Sequence, residues 1–304
     1  MCFSLNGGAT LDLQAYLASQ RVLVDAALGR LLPTADERPG KLHEAMRYSV
    51  LAPGKRLRPL LMIASAEAVG GRAEEVLTAA CGLECIHAFS LIHDDLPCMD
   101  NDDYRRGRLT SHRVFGDAMA LLCGDALLAL AFELVCRTAE HVPYERVVAA
   151  LQLVAQATGT FGMVGGQVVD MESEGQDVDE ATLTFIHSRK TGALITAAVV
   201  SGALLANGSA EAVSDLRRYG RHVGLAFQIA DDILDIVGDE AKLGKPVGSD
   251  AKSEKATYPR LMGLDASRRR AAQEVAEAEA ALAGFGPEAD PLRAMAAYIV
   301  ERDS

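Results

Sequence analysis

The sequence predicts an all-α fold in a single domain, and three observations carry that expectation. The 304 residues are 49% hydrophobic and only 5% aromatic, without tryptophan. They are rich in Ala and Leu, which with Glu and Arg are strong helix formers. Apolar residues recur at helical spacing over long stretches, while no stretch alternates polar and apolar over strand length between turn signals. No Ser/Gly linker interrupts the chain, so residues 1–304 read as one domain.

In chain order, residues 11–32 repeat apolar side chains with polar ones between and predict an amphipathic helix. A turn-rich break over 33–40 follows. A second helix over 41–51 stops at Ala52-Pro53-Gly54. Pro59 suits the first turn of a helix over 60–69, where proline forfeits no intrahelical hydrogen bond, and Gly70-Gly71 closes it. Residues 74–95 form the next helix. Pro97 sets its end, because proline disfavours helical geometry in the residue before it. Further helices are expected over 111–137, from Pro143 to about 165–166, over 179–206, and from a Ser209 cap through Asp231 to Val237. Residues 238–254 are the longest polar stretch without periodicity. Loops of that length in a compact domain are usually functional or disordered; holding Lys242, Lys245 and Lys252, with Lys255 just beyond, this one reads as a lid, the alternative being a surface loop with incidental lysines. Two highly charged amphipathic helices, over 266–283 and 291–302, finish the chain.

A formal net charge of −12 argues against general nucleic-acid binding, which needs a basic face. It leaves room for an anionic small molecule, because local cations decide that. The six cysteines show no CxxC spacing and mostly sit in apolar helical runs, so they read as reduced core thiols of a cytoplasmic protein. The opening MCFSLNGGATLDLQ has neither a charged stretch nor a long apolar one, and no signal peptide is expected. The apolar run 193–206 is fourteen residues long, too short for a bilayer, and no membrane span is expected.

Chemistry concentrates in ECIHAFSLIHDDLPCMDNDDYRRGR, residues 84–108. An apolar helical run ends in Asp94 and Asp95; Asp100, Arg105, Arg106 and Arg108 follow closely. Buried uncompensated, these carboxylates would be costly. Mg²⁺ suits them, because it takes one or two carboxylates and completes its shell with water and phosphate oxygens. Nearby arginines can hold the phosphate oxygens that the metal leaves free. Alone, Asp94 and Asp95 could equally be a solvated acidic helix end. FQIADDILD, residues 227–235, shifts the balance, because Asp231 and Asp235 lie one turn apart on one helix face. Two such helix ends facing each other across a cavity could hold a metal cluster.

With GKRLRP at 54–59, DDLPCMD at 94–100, DDYRRG at 102–107 and FQIADDILD downstream, the chain resembles the trans-polyprenyl diphosphate synthases, within them the farnesyl and geranylgeranyl diphosphate synthase branch. The resemblance runs from about Gly54 to Pro259, and the first motif has the longer DDxxxxD form. It implies the isoprenoid synthase fold, a helical bundle around a central cavity. It also implies condensation of isopentenyl diphosphate with dimethylallyl or geranyl diphosphate, a homodimer, and Mg²⁺ as cofactor, about three ions per site. Asp94, Asp95, Asp100, Asp231 and Asp235 would hold the metal. Arg105, Lys190, Lys245 and Lys255 would grip the allylic diphosphate, while Thr191, Phe227 and Gln228 would lie near the reacting carbons. Gly54, Lys55, Arg58, His87 and Arg106 would bind isopentenyl diphosphate; Arg56 matches less specifically. The allylic cation formed on ionisation needs a water-poor pocket, and the released pyrophosphate would take the final proton.

Competing readings fit less well. A terpene cyclase shares the ionisation, but its second metal motif carries Asn/Asp, Ser/Thr and Glu, and it has no need for GKRLRP. A di-iron carboxylate bundle would use Glu84-x-x-His87, yet no second Glu-x-x-His occurs. A silent partner subunit would lack intact aspartate motifs. For product length, Phe89 and Ser90 stand about one turn before Asp94, on the path of a growing tail. In the resembled family a bulky aromatic there closes the tunnel near fifteen carbons, so farnesyl diphosphate is expected. DDLPCMDNDD is similar to plant-type geranylgeranyl synthases and pulls towards twenty carbons.

Overall fold

The long apolar periodicities become helices in the computed structural model, which describes residues 2–3, 11–237 and 255–301. Helices α1 (Leu13–Leu31), α2 (Gly40–Val50), α3 (Leu57–Ala68) and α4 (Ala73–Asp94) open the bundle. Asp12 caps α1 by accepting from the Ala15 amide at 3.1 Å. Glu75 reaches back to the Arg72 amide at 3.0 Å and secures the start of α4. Helix α3 begins three residues earlier than expected, which still leaves Pro59 in its first turn.

Several expected helices are subdivided. The helix over 111–137 splits into α5 (Ser111–Phe115) and α6 (Asp117–Arg137), because Gly116 adopts a φ of +87°. The helix from Pro143 splits into α7 (Tyr144–Thr158) and α8 (Met163–Glu172), so Gly165 and Gly166 lie inside a helix rather than at an end. The span 179–206 is α9 (Glu180–His187), a π-helical turn (Ser188–Gly192) and α10 (Ala193–Leu205). Helix α11 (Ala210–Val237) starts at the expected cap, with the Ser209 hydroxyl accepting from the Ala212 amide at 3.1 Å. Helices α12 (Tyr258–Met262), α13 (Leu264–Ala281) and α14 (Asp290–Glu301) complete the order. The expected lid over 238–254, Lys242, Lys245 and Lys252 included, lies outside the described residues.

The expectation of no strands needs a small correction. Two minimal antiparallel ladders exist, β1 (Cys2–Phe3) with β2 (Leu11–Asp12), and β3 (Tyr104–Arg105) with β4 (Arg108–Leu109). Two-residue strands carry no detectable alternation.

Helix α10 is buried along nearly its whole length and packs against α3, α7 and α11. Helix α4 lies against α6 and α3, burying Ile86, Phe89 and Ile92 among others. Each fully buried large apolar side chain contributes about 1.5–3 kcal/mol. Both aspartate motifs fall at the C-terminal ends of their helices, α4 and α11, where the apolar runs stop. Length and apolarity do not by themselves exclude a membrane span. The stretches Ala73–Asp94, Asp117–Glu140 and Tyr144–Glu172 are all long and apolar enough to cross a bilayer. In this fold, though, α4 packs within the bundle and carries the first aspartate pair at its end.

Candidate active site

Helix α4 ends at Asp94, and the chain folds straight back, with the Asp100 amide donating to the Asp94 carbonyl at 2.8 Å. That bond holds the longer aspartate motif as one tight loop. Asp94 is half-buried, and its carboxyl is pushed up to about 6. Burial is the main cause; Lys190 and Arg105 oppose it, while Asp100 and Asp95 add to it. Lys255, arriving from beyond α11, reaches Asp100 at 3.7 Å.

Asp95 is buried. It turns towards Arg105, whose Nε donates to both carboxylate oxygens at 2.7 and 3.0 Å and whose Nη2 donates at 2.5 Å. Arg105 and Asp95 line a cleft with His87, Arg56 and Arg106, and Arg105 also acts electrostatically on Asp94. Ligand binding there would have to loosen this pair.

Arg106 and Gly107 form the turn between β3 and β4, with φ of +53° and +73°. Positive φ at both central residues is the type I′ hairpin turn. Arg106 bears a cost of about 1–2 kcal/mol that Asn or Gly would avoid. Its Nη1 donates to the Pro53 carbonyl at 3.0 Å, and a Cβ at Gly54 would fall 2.5 Å from that nitrogen. Gly54 thus lets the GKRLRP loop close on the arginine. Arg56, the residue before α3, is likewise left-handed at +52°. It is structural rather than free for ligand, being buried and paired with Asp25 at 2.8 Å and Glu84 at 2.9 Å. Glu84 is a partner for arginine, not part of a di-iron site.

Arg58 has an Nε buried with no acceptor. Burial pulls its pKa down to about 10, and Arg106 pulls the same way against Glu84 and Asp231. An unsatisfied buried guanidinium N–H is costly and fits an incoming anion. His87 is held well below its ordinary range by burial first, then by Arg58, Arg106, Arg105 and Arg56. It is therefore neutral at physiological pH and can donate one N–H without adding charge. Lys55 is exposed on the same loop.

On α11, the two adjacent aspartates face different ways. Asp232 is buried and accepts from His187 Nε2 at 2.9 Å, the Tyr258 amide at 3.0 Å and Gln228 Nε2 at 3.1 Å. It ties α9, α11 and α12 together. Asp231, half-buried, acts electrostatically on Arg58 instead, and Asp235 is buried one turn further on.

Lys190 and Thr191 sit on the π-helical turn, where one inserted residue redirects side chains from a regular helix. The Thr191 hydroxyl donates to Gln228 Oε1 at 2.8 Å, which leaves its lone pairs for an electron-poor neighbour. Lys190 donates to Asp170 at 2.6 Å. Sequence reasoning missed Asp170, an acid inside an otherwise apolar stretch of α8. A Cβ at Gly166 would fall 2.2 Å from the Lys190 amide nitrogen, so α8 packs directly on the turn and brings Asp170 within reach. Lys245 lies outside the described residues.

The donor set suits Mg²⁺. It consists of carboxylate oxygens, although among the described residues no three or more His, Cys, Asp or Glu are gathered closely enough to hold a metal ion by themselves. A cation that keeps several waters and takes substrate phosphates needs only such an open set. Burial disfavours the charge of Asp94, which a bound cation would offset.

The comparisons agree with this geometry. The polyprenyl synthetase family profile matches residues 39–283. A dimethylallyltranstransferase of Fischerella ambigua is 50% identical over 295 residues, covering 97% of this chain and 85% of that protein. A geranylgeranyl diphosphate synthase of Cyanophora paradoxa is 46% identical, covering 96% of this chain and 97% of that protein. The crystal structure of an FPP/GFPP synthase from Zymomonas mobilis superposes with a TM-score of 0.85 at 40% identity, covering 95% of this chain and 99% of that one. The helical bundle described above is thus the isoprenoid synthase fold, and the chain belongs to the polyprenyl synthetase family of trans-prenyltransferases.

Proposed function

We propose that the chain condenses isopentenyl diphosphate with dimethylallyl and then geranyl diphosphate, and stops at farnesyl diphosphate. The observation that carries the fifteen-carbon limit is Phe89. It is 8% exposed on α4, five residues before Asp94, and packs edge-to-face on His93 with ring centroids 4.8 Å apart. His93 Nε2 in turn donates to the Leu121 carbonyl at 3.1 Å, so the ring is braced against α6. Ser90 spends its hydroxyl on the His87 carbonyl at 2.9 Å and adds no bulk. The second reading is geranylgeranyl diphosphate, favoured by the relatives of that name and by DDLPCMDNDD.

In this reading Asp94, Asp95, Asp100, Asp231 and Asp235 hold Mg²⁺. When bound, Mg²⁺ on these carboxylates would supply Lewis acidity towards a departing diphosphate. Lys190, Lys245 and Lys255 take the phosphate oxygens beside it, and Lys190 must then trade Asp170 for substrate. Arg105 joins them on leaving Asp95. The Thr191 oxygen and Gln228 face the developing allylic cation, where oriented dipoles need no reorganisation. Gly54, Lys55, Arg58, His87 and Arg106 seat isopentenyl diphosphate, with the unpaired Arg58 Nε the most demanding of its donors. A second copy of the chain would cover the exposed Leu121 and Leu122 of α6. The buried free thiols Cys81, Cys85 and Cys123 suit a reducing cytoplasm.

Phe89→Ala, assayed with excess isopentenyl diphosphate, tests the limit. The variant should lengthen product to twenty carbons or more while losing about 3–5 kcal/mol of stability. A folded variant that still stops at fifteen carbons would remove Phe89 as the floor.

A further inference from the structure

A second cleft, about 690 Å³ in volume, lies beneath the π-helical turn. On α11 the face that carries Gln228, Asp231 and Asp235 continues one way to Gly224, Arg221 and Arg217. A Cβ at Gly224 would fall 2.8 Å from the Gly192 Cα. That backbone-to-backbone closure separates the aspartate end of the face from the arginine end. The turn serves both: Lys190 and Thr191 meet Asp170 and Gln228, while Ser188, Arg189 and Gly192 line the cleft.

The charge in the cleft is unbalanced. Arg270 is answered by Glu274 at 2.9 Å and Glu180 at 3.5 Å, and Glu274 also receives His222 at 2.6 Å. Among the described residues Arg189 donates only to the Phe161 carbonyl, at 2.9 Å. Neither it nor Arg217 or Arg221 has a carboxylate partner among the described residues. Arg217 is half-buried even so, and Arg217 and Arg221 stand one helical turn apart. Guanidinium groups so placed match the planar, bidentate demands of phosphate. Beside them, Phe161 is 81% exposed and Phe185 45% exposed, with Arg189 stacked 5.6 Å from the Phe185 ring. Cationic forks and bare aromatic rings in one cleft, in a chain of net charge −12, call for an anion with an apolar body. The volume falls in the range of small-molecule sites.

We propose that this cleft is a second binding site, separate from the aspartate-lined one, for a diphosphate that carries a hydrocarbon chain. The choice of diphosphate rests on the prenyl-transfer reading; the charge and shape of the cleft do not. Its anion contacts are arginines, so binding here needs no metal, whereas in the proposed reading the allylic diphosphate is held on the aspartates through Mg²⁺.

Equilibrium dialysis of the thiolodiphosphate analogue of farnesyl diphosphate in excess EDTA tests the site. About one equivalent per chain should bind, and the Arg217→Ala/Arg221→Ala variant should weaken it about tenfold or more, as expected for lost charge-assisted hydrogen bonds. Arg221→Glu, at an exposed position, should do the same without disturbing the core. Inorganic pyrophosphate should compete far more weakly, because it cannot cover the rings. No binding in EDTA, or binding indifferent to the arginine changes, would overturn the site; pyrophosphate competing as well as the tailed analogue would overturn its ligand. Condensation activity with Mg²⁺, measured on the same preparation, separates this failure from failure of the proposed function.

Discussion

Arg58→Met should make the ligand-free protein more stable and the enzyme worse. The Arg58 Nε is buried without an acceptor, and the guanidinium pKa is pulled down from its ordinary value to about 10, with burial the main cause. That fall corresponds to about 3 kcal/mol against the charged form. A base whose folded pKa is depressed carries its full penalty below the folded value, here about 10, and loses it as pH rises towards the ordinary arginine range. At pH 7 the penalty is complete. Methionine keeps much of the side-chain volume and removes the charge, so most of the 3 kcal/mol should return, raising Tm by about 5 °C or more. Loss of a charged hydrogen-bond donor to the substrate diphosphate should cost about 1.5–3 kcal/mol, roughly 10- to 150-fold in KM for isopentenyl diphosphate. Calorimetry on the ligand-free protein and initial-rate kinetics read the two effects separately. A variant that melts lower with unchanged KM would refute the assignment, because Arg58 would then be a structural cation.

The other changes follow the same logic. Asp231→Asn should abolish turnover. Asp232→Ala should instead destabilise the fold by about 3–5 kcal/mol, because His187 and the Tyr258 amide lose a buried acceptor; a turnover assay reads the first and chemical denaturation the second. Asp170→Asn should lower kcat about tenfold through a less well placed Lys190 and leave KM for isopentenyl diphosphate alone. Equal defects for both substrates in steady-state kinetics would contradict that role.

What was legible in the sequence was what local patterning controls. Helix α4 could be placed because an apolar run meets Asp94, Asp95 and Pro97, and α11 because Ser209 precedes a periodic stretch. The face shared by Asp231 and Asp235 follows from helical geometry alone. The π-helical turn at Ser188–Gly192 was not legible, since one inserted residue barely disturbs a periodicity summed over a long window. The Arg106–Gly107 turn was hidden because its strands are two residues long. The pairing of Lys190 with Asp170 joins residues twenty positions apart through helix packing, and no spacing rule reaches it. Arg105 closing on Asp95 is similar: both residues were legible as chemistry, but not as each other's partner in the ligand-free site.

The central claim, Mg²⁺-dependent elongation that stops at fifteen carbons, is tested most directly on the unaltered protein. It should be incubated with isopentenyl diphosphate and either dimethylallyl or geranyl diphosphate, with Mg²⁺ or with excess EDTA, and the prenyl products sized. Farnesyl diphosphate with Mg²⁺ from either starter, and no product in EDTA, is the predicted result. Product of twenty carbons would contradict the length assignment, and full activity in EDTA would contradict the metal's place in the site.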